Sequence, residues 1–241
     1  MKISVVVPAF NEERELGRSL RSIREAVTAF TGAGWSAELI VCDNNSTDRT
    51  AEIARAAGAE VVFEPVNQIS RARNAGASRA TGEWLMFVDA DSHPSRALCA
   101  DARQAIESGR CIGGGSTVGF DHPDFGVAVA GATWNGISRA FGWAAGSFMF
   151  CRAAAFRELG GFSEALYAAE EIDLSRRLKR TARARRQRFV ILHRHPLVTS
   201  ARKSKLYTPA ELLGFMIRTV VRGGRTLRSA GDCFAWYDGR R

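Results

Sequence analysis

Three aspartates carry the chemistry that can be read most directly from the chain. Asp89 and Asp91 flank one alanine immediately after the apolar run WLMFV (84–88), and Asp43 immediately follows LIVC (39–42). Two carboxylates about 6 Å apart repel by roughly 2 to 4 kcal/mol at an effective dielectric near 20, so such a pair at the end of a buried strand calls for a compensating charge. On an extended segment, residues i and i+2 point the same way. Hard oxygen donors in that arrangement suit Mg²⁺ or Mn²⁺, which would also take phosphate oxygens. A D-x-D alone is weak, because aspartates also cap helices. Beside a second acidic strand end it gains force.

The elements that must hold these residues follow from hydrophobic periodicity. ISVVV (3–7) is a β-branched run ending at Pro8, which predicts a strand buried on both faces. Asn11 is placed to cap a following helix. Glu12 and Glu13 favour its N-terminus, and Leu16, Leu20, Ile23, Val27 and Phe30 recur at helical spacing. LIVC leads to a turn at 43–46 and a helix through Ile53 that stops near Gly58. VVF (61–63) leads to a helix over 70–80 closed by Gly82, and WLMFV leads to Asp89. Strands alternating with helices predict an α/β fold, with a mostly parallel sheet flanked by helices. Ligands of such sheets bind outside the C-terminal strand ends, where PAFNEE (8–13), DNNSTD (43–48) and DAD (89–91) all fall. No P-loop is present and the first βα turn lacks G-x-G-x-x-G, so a bound nucleotide must be held by side chains and a metal.

Beyond Ser92 the rhythm loosens. A helix is predicted around 95–108, followed by the glycine-rich stretch 111–120, an ambiguous 127–141, a strand near 147–151 and short helices on either side of Gly160 and Gly161. FVIL (189–192) fits a last strand, and Pro209 to about Leu227 reads as a basic amphipathic helix.

Composition narrows the classes. The chain has 241 residues, 46% of them hydrophobic, which suffices for one large α/β core. Pro8 and the acidic pair interrupt the first apolar run before a signal-peptide core could form. No stretch approaches the roughly 18 apolar residues of a spanning helix, so a cytoplasmic protein that does not itself cross a membrane is expected. Five widely spaced cysteines without a C-x-x-C pair read as reduced core thiols. The net charge of +9 conceals an asymmetry: residues 1–175 hold 16 basic and 22 acidic side chains, and residues 176–241 hold 18 and 3. From Arg176 to Lys205 there are twelve Lys or Arg and no acid. A diphosphate-binding rim, an anionic membrane surface at the inner face of the cell membrane, and nucleic acid are the readings of such a block. Few aromatics are interleaved there to stack bases, which places membrane ahead of nucleic acid.

The succession VVVPAFNEE, VCDNNSTDRTAEIA, SRARNAGASRATGEWLMFVDADS and GSFMFCRAAAFRELGGFSEALYAAEEIDLSRRL resembles the family-2 glycosyltransferases with the GT-A fold, over roughly residues 3–180. The resemblance implies a GT-A domain over 1–205, with a nucleotide-binding half (1–92) and an acceptor half (93–205), followed by a basic extension (206–241). It implies a UDP- or GDP-sugar donor and a divalent metal. Pro8, Phe10 and Glu12 would line the base and ribose pocket, Asp43 would bond the base, Arg73 and Asn74 would sit near the nucleotide, and Asp89 and Asp91 would hold the metal and diphosphate. Glu170 and Glu171 stand where the family has a Glu-Asp pair, so Glu171 takes the position of the general base, one methylene longer. Attack opposite the departing diphosphate would then invert the anomeric centre, and transfer of a single sugar per encounter is implied, since the Q-x-x-R-W signature and spanning helices of processive synthases are both missing. His193 is a candidate third metal ligand, and Arg202 with Lys203 a candidate closure over the diphosphate. The acceptor is unknown; a lipid-linked one is compatible. A metal-dependent nucleotidyltransferase and a non-catalytic membrane-surface binding protein on the same fold are the rival readings.

Overall fold

The computed structural model describes residues 1–121, 123–200, 214, 218–219 and 224–233. The first β-branched run forms the middle of a parallel sheet. Strand β1 (Lys2–Ala9) lies between β2 (Ser36–Asp43) and β4 (Trp84–Val88), and β3 (Glu60–Phe63) adds to the outer side of β2, all parallel. Helices α1 (Leu16–Thr31), α2 (Thr50–Ala56) and α3 (Ile69–Arg79) are the crossovers that parallel pairing requires. With helices on both faces, every residue from Ile3 to Ala9 is buried, which is why this strand reads as a continuous apolar run.

The second half changes character at β4. It contains β5 (Ser92–His93), α4 (Arg96–Glu107), β6 (Cys111–Asp121), α5 (Phe125–Phe141), β7 (Phe148–Arg152), α6 (Ala153–Glu158), α7 (Glu170–Ala184) and β8 (Arg188–Ser200). The eight strands run in the order β3-β2-β1-β4-β7-β6-β8-β5. Strand β7 is antiparallel to both neighbours, β8 is parallel to β6, and β5 is antiparallel on β8. The sheet therefore turns from parallel to mixed beside the strand that ends at Asp89.

Two apolar layers clamp the sheet. Leu16, Leu20, Ile23 and Phe30 of α1 and Leu98 and Ile106 of α4 pack on one face with Phe148 and Phe150. Ala77, Phe87, Phe156, Phe162, Leu174 and Leu178 form the other. Full burial of each such Leu or Phe contributes roughly 1.5 to 3 kcal/mol. All five cysteines are buried and free.

Some local expectations fail for identifiable reasons. Asn11 does not cap α1, which starts at Leu16; Asn11 adopts φ 51° and its Oδ1 accepts from Thr47 N–H at 2.8 Å. The glycine run 111–120 is the inner strand β6, pressed between β7 and β8, where a Cβ on Gly114 would run into the Val190 carbonyl oxygen. The ambiguous 127–141 is helix α5. The basic amphipathic helix expected over 209–227 falls mostly outside the described residues. Among the described residues, no helix is long and apolar enough to cross a membrane.

Candidate active site

The first two strand ends are latched to each other. Asn11 N–H donates to Ser46 Oγ, Glu12 N–H to Thr50 Oγ1 and Glu13 N–H to Asp48 Oδ2, at 2.8 to 3.0 Å. The buried Asp43 closes β2, and its Oδ1 accepts from Ser46 N–H, three residues on, at 3.0 Å, which fixes the carboxylate. Asn44 donates to the Glu64 and Val66 carbonyls and accepts from Gln68 N–H, so the end of β2 is tied to the approach to α3. Pro8 is buried within β1 opposite Cys42, Phe10 is half-buried and Glu12 is buried.

Strand β4 ends two strands from β2, a lateral separation of about 10 Å at ordinary strand spacing. Asp89 to Ser92 is a reversal closed by Ser92 N–H on the Asp89 carbonyl at 3.1 Å, not the extended segment expected from the sequence. Asp89 and Asp91 nonetheless line one cleft of about 260 Å³, together with Arg73, Val118, Phe120, Gly146, Glu170, Glu171 and Ser200. The end of β8 frames it, with Ser200 N–H on the Asp91 carbonyl at 3.1 Å.

At the wall of the cleft lies Arg73, buried on α3. Its Nη1 donates to Glu170 Oε1 at 2.7 Å, and its Nη2 donates to Asp89 Oδ1 at 2.9 Å and to the Gly146 carbonyl at 3.0 Å. The guanidinium carbon stands 5.2 Å from the Phe162 ring centroid. Burial opposes its charge, but Asp89, Glu170 and Glu171 raise its pKa above the ordinary value. One cation thus joins the end of β4, the loop before β7 and the first turn of α7. Gly146 allows this: a Cβ there would sit 2.9 Å from Arg73 Nη2 and 3.5 Å from Glu171 Cδ.

Helix α7 opens with Glu170, Glu171 and Asp173 after Ala169, whose φ is 61°. Carboxylates in a first turn are favoured by the helix dipole. Glu170 is only 3% exposed and is spent on Arg73. Glu171 keeps an edge on the cleft. Burial, then the neighbouring Glu170, pushes its carboxyl up to about 8, although Arg73 works the other way.

Residues 4–157 match the model of glycosyl transferase family 2. The chain belongs to that family. An uncharacterized glycosyltransferase of Mycobacterium tuberculosis is 42% identical over 89 residues, which is 37% of this chain and 36% of that protein. Glycosyltransferase AglE of Haloferax volcanii is 32% identical over 133 residues, 53% of this chain and 42% of that protein. The matched stretch is thus less than half of each of these relatives. Among solved structures, the mannosyltransferase PcManGT of Pyrobaculum calidifontis superposes with TM-score 0.66 at 18% identity, covering 91% of this chain and 64% of that one. Glucosyl-3-phosphoglycerate synthase of Mycobacterium tuberculosis gives TM-score 0.62 at 21% identity, covering 91% and 76%. These likenesses establish the GT-A fold in this family-2 chain.

The residues singled out in the family-2 motifs divide in the structure. Asp89, Asp91, Arg73, Glu170 and Glu171 come together at the cleft. Asn74 is a structural bracket: its Nδ2 donates to the Phe162 carbonyl and to Glu164, and its Oδ1 accepts from Phe162 N–H. His193 is exposed on β8 and lines a separate depression with Asp101 and Gln104, away from Asp89 and Asp91. Arg202 lies outside the described residues. Gly146, Ser147, Val118 and Phe120 were not foreseen at the cleft; the only signal for Gly146 was its place just before an apolar strand.

Proposed function

We propose that this chain transfers a single sugar from a nucleoside-diphosphate sugar to an acceptor hydroxyl, with inversion at the anomeric carbon. The observation that carries the reading is that Asp89 and Asp91, just past the end of β4, and Glu171, from α7, line one cleft. Among the described residues, no group of three or more His, Cys, Asp or Glu forms a metal cage. Two hard carboxylates in one cleft fit Mg²⁺ or Mn²⁺ all the same, because such ions commonly take one or two carboxylates and complete their shell with substrate phosphates and water. The bond from Arg73 does not exhaust Asp89, since a carboxylate has about four acceptor sites. When bound, the ion would stabilise the negative charge of the departing diphosphate.

The protein's own residues supply the rest. Asp43, fixed at the end of β2, and the latched 10–13 loop receive the base and ribose. Arg73 holds Asp89 and Glu170 in register. Glu171 accepts the proton of the acceptor hydroxyl as its oxygen attacks the anomeric carbon from the face opposite the diphosphate. Glu170 is a positioning residue in this scheme, its carboxylate being taken by Arg73. The complexes of structural neighbours with UDP and Mn²⁺, and with GDP-mannose and Mn²⁺, support the donor class.

The test is a screen of nucleotide sugars with Mn²⁺ followed by an assay of the released product. Release of a nucleoside diphosphate with the inverted anomer in the product is expected; release of pyrophosphate from a nucleoside triphosphate would replace this reading with nucleotidyl transfer. Glu171→Gln should bind donor and lose about 10² to 10⁴ in rate, the usual contribution of a general base. Undiminished turnover would remove Glu171 from that role.

A further inference from the structure

Helix α5 departs from the pattern of a surface helix. A helix on the outside of a domain normally turns charged side chains to water. Between Phe125 and Phe141 the one charged residue is Arg139, and only Gly131 and Ser138 are buried. The outward surface shows Phe125 86% exposed, Phe141 55%, Val129 49% and Ile137 37%. Four of the eight exposed large hydrophobics among the described residues therefore sit on this one helix.

Its inward side is small and polar. Gly131 faces the Phe120 ring, where a Cβ would lie 2.9 Å from Cε2. Asn135 Nδ2 donates to the Val118 carbonyl at 2.8 Å and its Oδ1 accepts from Val118 N–H at 2.9 Å. Ser138 Oγ donates to the Trp143 carbonyl at 2.6 Å. Val118 and Phe120 line the cleft. The helix is thus fixed to the cleft's rim by the Asn135 bonds to Val118, with Phe125, Val129, Ile137 and Phe141 turned to the outside.

Cations gather beside the exposed apolar end. Lys179 Nζ donates to the Phe141 carbonyl. The Arg176 guanidinium stands 5.0 Å from the Trp143 ring centroid, and that ring stacks on Phe141 at 5.0 Å. Arg180 and Arg183 are exposed on the same helix. Burial, then the nearby Arg183 and Arg176, lowers the Lys179 pKa. No acid occurs from Arg176 to Lys205. The acids at the other end of α5 are engaged locally: Asp124 Oδ1 caps Val127 N–H at 2.8 Å, and Asp121 faces Arg18 at 3.8 Å.

We infer that α5 and the cationic face of α7 together seat the protein on an anionic phospholipid surface. Phe125, Val129, Ile137 and Phe141 enter the boundary between headgroups and acyl chains, while Arg139, Arg176, Arg180 and Arg183 meet the phosphates. An exposed apolar helix side joined to a cationic cluster is the combination that holds a helix in the interface, because burial of apolar area and attraction to anionic lipid add. A second copy of the chain is the poorer occupant, since a two-fold contact on this face would bring its cationic rows together. Docking this way places the cleft's rim at the membrane. The inference stands apart from sugar transfer, so its test uses no donor.

The purified full chain is sedimented with phosphatidylcholine vesicles, with and without phosphatidylglycerol. Partitioning at least about tenfold stronger onto the anionic vesicles is expected. Val129→Asp with Ile137→Asp should weaken it by a similar factor while leaving melting temperature and solution mass unchanged. Phe125→Trp should be quenched by brominated acyl chains, which adsorption through a basic segment alone would not produce. Three results would overturn the inference: no vesicle binding, vesicle binding undisturbed by the aspartates with Phe125→Trp unquenched, or a concentration-dependent dimer that the aspartates dissolve.

Discussion

Arg73 Nη1 lies 2.7 Å from Glu170 Oε1, joining residues 97 positions apart. The same guanidinium holds Asp89, so the loop proposed to carry the diphosphate and the helix proposed to carry the base share one buried cation. Removing one member of a buried pair costs about 3 to 5 kcal/mol, because the remaining charge is left without a partner. Arg73→Met is expected to lose stability of that order in urea unfolding. Arg73→Lys should recover only part, since an ammonium cannot reproduce the planar fork. Combining Arg73→Met with Glu170→Gln should cost less than the sum of the two. Strict additivity would sink the clamp.

The parallel half of the fold was legible because β1, β4 and the second half of β2 are buried on both faces, and each reads as an unbroken apolar run ending at a polar loop. Asp43, Asp89 and Asp91 were legible for the same reason. The second half resisted. Strand β6 is CIGGGSTVGFD, where glycines let β7 and β8 approach, and their run breaks up the continuous apolar signature of a buried strand. Helix α5 was ambiguous because small residues face inward while large apolar ones face water, the reverse of the amphipathic pattern that marks a packed helix. The family resemblance places Arg73 near the nucleotide, but its pairing with Glu170 depends on packing between α3 and α7, which no local pattern encodes.

Asp91→Asn should remove the dependence of UDP or GDP binding on Mn²⁺ with little effect on folding. Titration calorimetry with and without the ion reads this directly. The loss in metal-dependent affinity should at least match the roughly 10- to 100-fold that outer residues of a metal site command. Asp89→Asn should do the same and also lower stability, because Asp89 has a second duty to Arg73. Equal stability of the two variants would separate Asp89 from the clamp.

His193→Ala should leave Mn²⁺-dependent nucleotide binding unchanged. The imidazole is exposed beside Asp101 and Gln104, and substitutions at such surface positions usually move stability by less than about 0.5 kcal/mol. A loss of metal dependence comparable with that of Asp91→Asn would return His193 to the metal site.

Gly146→Ala tests the geometry without touching a charged group. The added methyl would stand 2.9 Å from Arg73 Nη2 and 3.5 Å from Glu171 Cδ, so one or both must shift. Displacements near 1 Å at a reacting centre can cost about 10²-fold. A fall in kcat with the nucleotide dissociation constant preserved is expected, and unchanged kcat would show that the clamp tolerates the methyl.

The raised carboxyl of Glu171 makes stability depend on pH in a definite sense. Its ordinary value is 4.5 and burial beside Glu170 carries it to about 8 in the folded protein. Below 4.5 both folded and unfolded chains hold the proton, and the folded state has the full benefit of a neutral buried group. Between 4.5 and 8 the folded chain retains a proton that the unfolded chain has lost, so the free energy of unfolding falls as pH rises across that window. Above it both are ionised and the contribution is gone. Without metal or nucleotide, Glu171→Gln should flatten this slope and be more stable than the parent above pH 8, with little difference near pH 5. The same carboxyl must be ionised to accept a proton, so kcat/KM, which follows the free enzyme, should climb toward an apparent pKa near 8. Glu170 is also raised and shares the site, so the midpoint belongs to the pair. A stability profile for Glu171→Gln that parallels the parent from pH 5 to above pH 8 would place the proton elsewhere and take with it the account of how the base is held ready.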